Sequence, residues 1–176
     1  MSNFNYGKTQ FNRIDKTIRF LQNHYNENGL ILDLGPPNPL SERMKAETFQ
    51  VQNTPIGIDL DLDYSIVANP DFDLITAFEI FEHMVSPFPL LKSITAKKLI
   101  ASVPLNLWFS DAYWNSKDPF DRHYHEFEPR QFDMLLEKSG WKIQASEKWV
   151  SRTYQIGFRP ILRRFTPRYY IVYCER

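Results

Sequence analysis

One cysteine, Cys174, stands in a chain of 176 residues. An internal disulfide is therefore excluded, as is a metal site built from several thiolates. A reducing, cytoplasmic setting is expected. Long apolar runs are lacking too: none approaches the roughly 20 residues that span a bilayer. The opening "MSNFNYGKTQFNRID" is polar and has no apolar core of a secretory signal. Neither a membrane nor an export route is expected. Excess charge is absent, with 21 Lys/Arg against 21 Asp/Glu. The balance conceals an asymmetry, because residues 142–176 hold eight Lys/Arg against only Glu147 and Glu175. Charge runs are usually solvated surface, and no stacking motif accompanies this one, so a nucleic-acid partner is not expected. Internal repeats and low-complexity segments are missing as well, and nothing signals an oligomeric state. What is present, 43% hydrophobic and 15% aromatic residues, is enough to bury a core, and residues 1–176 are read as one domain.

A more local lack is the informative one. The apolar run Leu30–Leu34 carries one carboxylate, Asp33, and stops at Gly35. A dinucleotide-binding loop would continue with further glycines, since backbone amides must pack against a pyrophosphate. Here Pro36 and Pro37 follow.

Periodicity supplies the elements. Ile14, Ile18 and Leu21, flanked by Phe11 and Tyr25, predict an amphipathic helix over 10–26 within an N-terminal segment 1–28. The strand 30–34 follows, then a short helix over 40–48 behind Pro39. "FQVQNTPIGID" reads as a second strand region ending at Asp59, and "FDLITAF", 72–78, as a strand covered on both faces. A helix from Pro87 to Thr95 and a strand over 97–104 come next. Residues 105–128 are rich in aromatics without clear period. "EPRQFDMLLEKSGW" predicts a helix with Pro129 at its start and Gly140 at its end. "WKIQASEKWV" and "RYYIVYCER" close the chain as strands joined by a basic connection. Alternating strands and helices predict an α/β fold: a Rossmann-like, doubly wound, mostly parallel sheet with helices on both faces and a C-terminal antiparallel strand.

In such sheets a ligand sits beyond the carboxyl ends of the strands, where strand order reverses. Three features fall at predicted strand ends: Asp33 with Gly35, Asp59 in "GIDLDLD", and Glu79 with Glu82-His83 in "FDLITAFEIFEHM". Asp59 follows Gly35 by 24 residues, close to the interval of about 20 at which a strand-two carboxylate accepts ribose hydroxyls. A cofactor without phosphate does not need the repeated glycines.

The residues "ILDLG", "GID", "FDLITAFEIFEHM", "LIASVP" and "HYHEFEPRQFDMLLEKSGW" resemble class I S-adenosylmethionine-dependent methyltransferases over roughly 30–150. The second-glutamate-histidine pattern and the "HEF" helix are the specific parts; "DLG" alone is weak. The resemblance implies S-adenosylmethionine as cofactor. It implies that Asp33 and Gly35 contact its methionine part, that Asp59 holds the ribose, and that Phe78 and Glu79 line the methionine side. Two departures stand out. "GPPNP" replaces the usual glycines, and only 14 residues separate Asp59 from Asp73, which leaves Asn69 and Asp71 as candidates for the adenine contact.

Each residue has a plainer reading beside this one. Asp33 could serve a helix N-terminus. Asp59, Asp61 and Asp63 could form a metal loop, and Glu82-His83 a structural pair at a helix start. His123, His125 and Glu126 sit too close in sequence to converge on an ion, so no metal is expected. His125, then His123, are the candidate general bases near neutral pH. The aromatic stretch 105–128 is read as a lid over a small-molecule or sugar-like acceptor, or else as an irregular piece of core. The expected function is methyl transfer from S-adenosylmethionine by in-line displacement. The alternatives are a binding module of the same fold without turnover and a nicotinamide-dependent protein, which the missing glycines disfavour.

Overall fold

Pairs of adjacent apolar residues decide the layering. Ile31-Leu32, Leu74-Ile75 and Leu99-Ile100 are all fully buried, and in each pair the two members belong to different hydrophobic clusters. Successive strand side chains point to opposite faces, so these strands require a cover on both sides. Helices supply it in the computed structural model, which describes residues 8–150 and 157–176. On one face, α1 (Lys8–His24) and α2 (Pro39–Ala46) bring Ile14, Ile18, Leu21 and Met44. On the other, α3 (Pro87–Ser93) and α4 (Pro129–Lys138) bring Leu90, Leu91, Phe132 and Leu136.

The sheet has six strands: β1 (Leu30–Asp33), β2 (Gln50–Asn53), β3 (Leu74–Phe78), β4 (Lys98–Pro104), β5 (Lys142–Val150) and β6 (Pro167–Glu175), in the order β2-β1-β3-β4-β6-β5. All neighbours run parallel except β6, which is antiparallel to both β4 and β5. This is the doubly wound, mostly parallel sheet with a C-terminal antiparallel strand that the pattern predicts. The chain winds one way from β1 to β2 and the other way from β3 to β4, so strand order reverses between β1 and β3.

Local chemistry sets the boundaries. Asn38 caps α2: its side chain accepts from the Leu40 and Ser41 amides, and the Ser41 hydroxyl accepts from the Asn38 amide. Pro39 occupies the first turn, where it needs no amide partner. Gly140 closes α4 at φ +96°, a left-handed conformation that glycine tolerates.

Three expectations need correction. The second strand does not reach Asp59; it ends at Asn53, because Pro55 removes a ladder donor and Gly57 turns the chain at φ +86°. The connection before β6 contains a short helix, α5 (Phe158–Arg163). The basic C-terminal segment is not solvated surface throughout. Arg168 pairs with Glu126, and Arg176 donates to the carbonyls of Leu91, Ile94 and Ser139 over the ring of Trp141. Arg152 and the side chains of Phe11 and Arg159 lie outside the described residues. No described helix is long and apolar enough to cross a membrane.

Candidate active site

The carboxyl ends of β1, β3 and β4 open into a cavity of about 660 Å³, a size typical of small-molecule sites. It lies at the point where strand order reverses, as sheets of this kind place their ligands. Asp33, Gly35, Phe78, Glu79 and His123 all line it. Asp59 and His125 do not.

Asp33 ends β1 and is 2% exposed. The Thr76 hydroxyl donates to its Oδ1 (2.7 Å) and the Asn53 amide to its Oδ2 (3.1 Å). Burial pushes its carboxyl up to about 7, against the pull of these bonds and of Asn38 and Lys45. The residue opposite Asp33 at the tip of β2 is thus Asn53, in the place where the sequence suggested Asp59. Gly35 follows at φ +104°, and a Cβ there would meet Ile80 Cδ1 at 3.1 Å. Its amide donates to the Thr54 hydroxyl (2.9 Å). Pro36 and Pro37 are exposed, with Pro36 at the cavity edge, so their rings leave the hollow open.

Glu79 leaves β3 at φ +58°, a left-handed conformation that is unfavourable for a side chain of this kind. Surrounding bonds impose it. The Glu79 amide donates to the Ser102 carbonyl (3.0 Å), the Ser102 hydroxyl donates to Oε1 (2.9 Å), and Arg13 of α1 approaches Oε2 at 3.5 Å. Burial raises its carboxyl and the Arg13 charge partly offsets this. The turn delivers Glu82, 1% exposed, whose carboxyl is raised well above the usual range by burial and by the Glu79 charge.

His123 reaches the cavity from the aromatic segment. The Glu82 carbonyl accepts from the amides of Tyr124 (2.7 Å) and His125 (3.2 Å), which pins this segment to the end of β3. His123 Nδ1 lies 3.4 Å from Glu126 Oε1, and Arg168 donates to the same oxygen (2.8 Å). Burial raises Glu126, but these bonds outweigh it and bring its carboxyl down to about 2. Burial and the His123 charge lower His83. His125 turns away, its Nε2 beside the Val85 carbonyl (3.2 Å).

The three aspartates after β2 do not gather. Asp59 Oδ1 accepts from the Asp61 amide, Asp61 from the amides of Val85 and Ser86, and Asp63 from Ser65. Asp59 and Asp63 serve local turns, and Asp61 holds the backbone just ahead of α3. Asn69 likewise accepts from the Asp71 amide and stands outside the cavity lining. Sequence reasoning missed Arg13, Asn53, Ser102 and Arg168. Nothing in their local pattern marks them: Arg13, Ser102 and Arg168 reach the cavity from elements read only for their apolar face or their charge, and Asn53 acts on it through its bond to Asp33.

No family model matches the chain, and no curated protein matches it. Solved structures do. A SAM-dependent methyltransferase from Archaeoglobus fulgidus superposes with a TM-score of 0.64 at 14% identity, covering 97% of this chain and 95% of that one. The magnesium protoporphyrin IX methyltransferase of Synechocystis, solved with bound SAH, gives 0.59 at 13% identity, covering 99% and 90%. The chain has the class I methyltransferase fold. The cyclase SpnF is similar too, at a TM-score of 0.60 and 13% identity over 99% and 85% of the two chains. A methyltransferase fold therefore hosts more than one chemistry, and the function has to be argued from the site.

Proposed function

We propose that the protein binds S-adenosylmethionine at the tips of β1 and β3 and transfers its methyl group to a small hydroxyl-bearing or sugar-like acceptor held under residues 105–128. The observation that carries this reading is the cavity itself. One opening at the strand-order reversal is lined both by the strand-tip acids and by the aromatic segment.

The residues fit the methionine half of the cofactor. A buried carboxylate at Asp33, which a neighbouring ammonium would draw into its charged form, lies beside a glycine that keeps the approach clear. Residues following β2 that would face a ribose are not in the lining, so the fit is to this half and to the acceptor space. Held beside Asp33 and Gly35, the cofactor would supply a sulfonium methyl for in-line displacement by the acceptor oxygen, with the electron pair of the carbon–sulfur bond left on sulfur.

The chain's own residues position and exclude. Phe78 and Ile80 give the cavity apolar wall, and Arg13 with Ser102 holds Glu79 in place. Tyr113, Asp121 and His123 bring the aromatic segment over the opening, where it can keep water from the reacting atoms. Of the two histidines suggested as bases, His123 lines the cavity and His125 does not, and the His123 imidazole is placed to take the acceptor proton. Positioning is the main contribution, because the reactivity resides in the cofactor.

A thermal-shift titration tests this. Ligand at about 100 times its dissociation constant adds about 2.7 kcal/mol, or roughly 5–10 °C for a domain of this size. The expected result is a rise with S-adenosylmethionine, none with NAD, and an unaltered rise in Asp59→Ala. No rise with S-adenosylmethionine would rule the reading out. A rise without turnover on any hydroxyl-bearing acceptor would favour the binding module.

A further inference from the structure

Among the described residues, one group of metal-capable side chains converges: Glu82, His83 and His123 place their ligating atoms within 4.8 Å of one another, and all three line the cavity. Three features prepare these atoms for an ion. Glu82 Oε2 is buried and makes no hydrogen bond, while Oε1 lies 3.8 Å from His83 Nε2. A buried carboxylate oxygen without a donor is costly unless something cationic meets it. His83 Nδ1 sits 3.1 Å from the Arg122 carbonyl, an acceptor only, so this nitrogen carries the proton and Nε2 keeps its lone pair. His123 Nδ1 faces the Glu126 carboxylate, itself held by Arg168, which leaves Nε2 as its free nitrogen. A carboxylate or carbonyl behind each imidazole is the arrangement that orients metal-bound histidines.

We propose that Glu82, His83 and His123 form a site for one divalent first-row transition cation in the cavity. Two imidazoles and one carboxylate suit a borderline cation such as Zn²⁺, Co²⁺ or Mn²⁺. The rings already meet edge to face with centroids 4.9 Å apart. The Glu82 carbonyl anchors the 123–125 segment through two amides, so the backbone that presents Glu82 and His83 also fixes His123. Three protein ligands leave coordination positions facing the cavity. The site's role, though not its existence, rests on the methyl-transfer reading: an acceptor hydroxyl on the ion would lose its proton to solvent near neutral pH, and His123 would then be a ligand rather than the base.

The test uses the full chain stripped with a chelator and titrated with Co²⁺, followed by visible absorption and calorimetry in the absence of S-adenosylmethionine. The expected result is one ion per chain with a nitrogen–oxygen ligand spectrum. Glu82→Gln and His123→Ala should each weaken binding by about 100-fold or more, beyond the 10–100-fold typical of outer-sphere partners, and His125→Ala should leave it unchanged. Circular dichroism checks folding. If Glu82→Gln unfolds, His123→Ala on the coil segment decides. No stoichiometric binding by the parent chain, or equal affinity in the folded variants, overturns the proposal. Ion binding without a thermal shift from S-adenosylmethionine would keep the metal site and remove the methyl-transfer reading; the reverse outcome would do the opposite.

Discussion

Asp33 combines two opposed demands. Its carboxyl is buried at the tip of β1, and burial raises it to about 7. Between the ordinary aspartate range and pH 7 the folded chain retains this proton while the unfolded chain has lost it. Stability therefore falls as pH rises across that window. Asp33→Asn removes the titration. Asn53 Oδ1, buried without a partner, can turn to accept from the new amide. The variant is expected to melt higher than the parent chain at pH 8, by on the order of 1–4 kcal/mol, with the gap closing toward pH 4. The same variant should bind S-adenosylmethionine more weakly in calorimetry, because a neutral amide attracts an ammonium less. Gaining stability while losing affinity is the signature of a residue kept for its site; a variant that gains both would remove Asp33 from the cofactor contact. Glu79 makes a similar point through its backbone, held at φ +58° by bonds from β4 and α1.

The β1–α2 connection shows how an element can do without glycines. Gly35 takes the one conformation that requires it, and the rest of the turn is fixed by Asn38 capping and by prolines. Asn38→Ala removes acceptors from two amides at the start of α2 and should cost about 1 kcal/mol. Because Asn38 also lines the cavity, ligand-free stability measured by urea unfolding and cofactor affinity should fall together. The second element of interest is the stretch 105–128. It contains neither helix nor strand, only isolated bridges from Leu105 to Phe127 and from Trp114 to Arg122. Its ends are core, with Leu105, Leu107 and Phe127 buried, while Trp108, Trp114 and Phe120 are exposed. The reading of this segment as an irregular piece of core thus holds at its two ends, while its middle carries exposed rings.

At the scale of the molecule, β6 between β4 and β5 joins the C-terminal strands to the parallel sheet and brings Arg168 and Tyr169 to the cavity. Its other end finishes in Arg176, whose guanidinium satisfies carbonyls from the α3 and α4 regions at once. Arg176→Ala leaves those carbonyls without a charged donor and should cost about 1–3 kcal/mol. Thermal unfolding reads this directly. The cavity is at the opposite end of the strands, so cofactor affinity should be unchanged.

The layered α/β fold, the single antiparallel strand and the first acid-glycine turn are legible in the amino-acid order alone, because each depends on neighbours within a few residues: apolar period, helix-end chemistry, a carboxylate at a strand tip. Asp59 has the spacing of a strand-tip acid, but Pro55 and Gly57 have already ended the strand, and it stands outside the cavity lining. The assembly of the cavity is beyond any local pattern. His123 meets Glu82-His83 only because the Glu82 carbonyl binds the amides of Tyr124 and His125, far along the chain, and Arg13 and Arg168 arrive from its two ends. Convergence of that kind is a product of packing two helical layers on one sheet, and linear spacing carries no record of it.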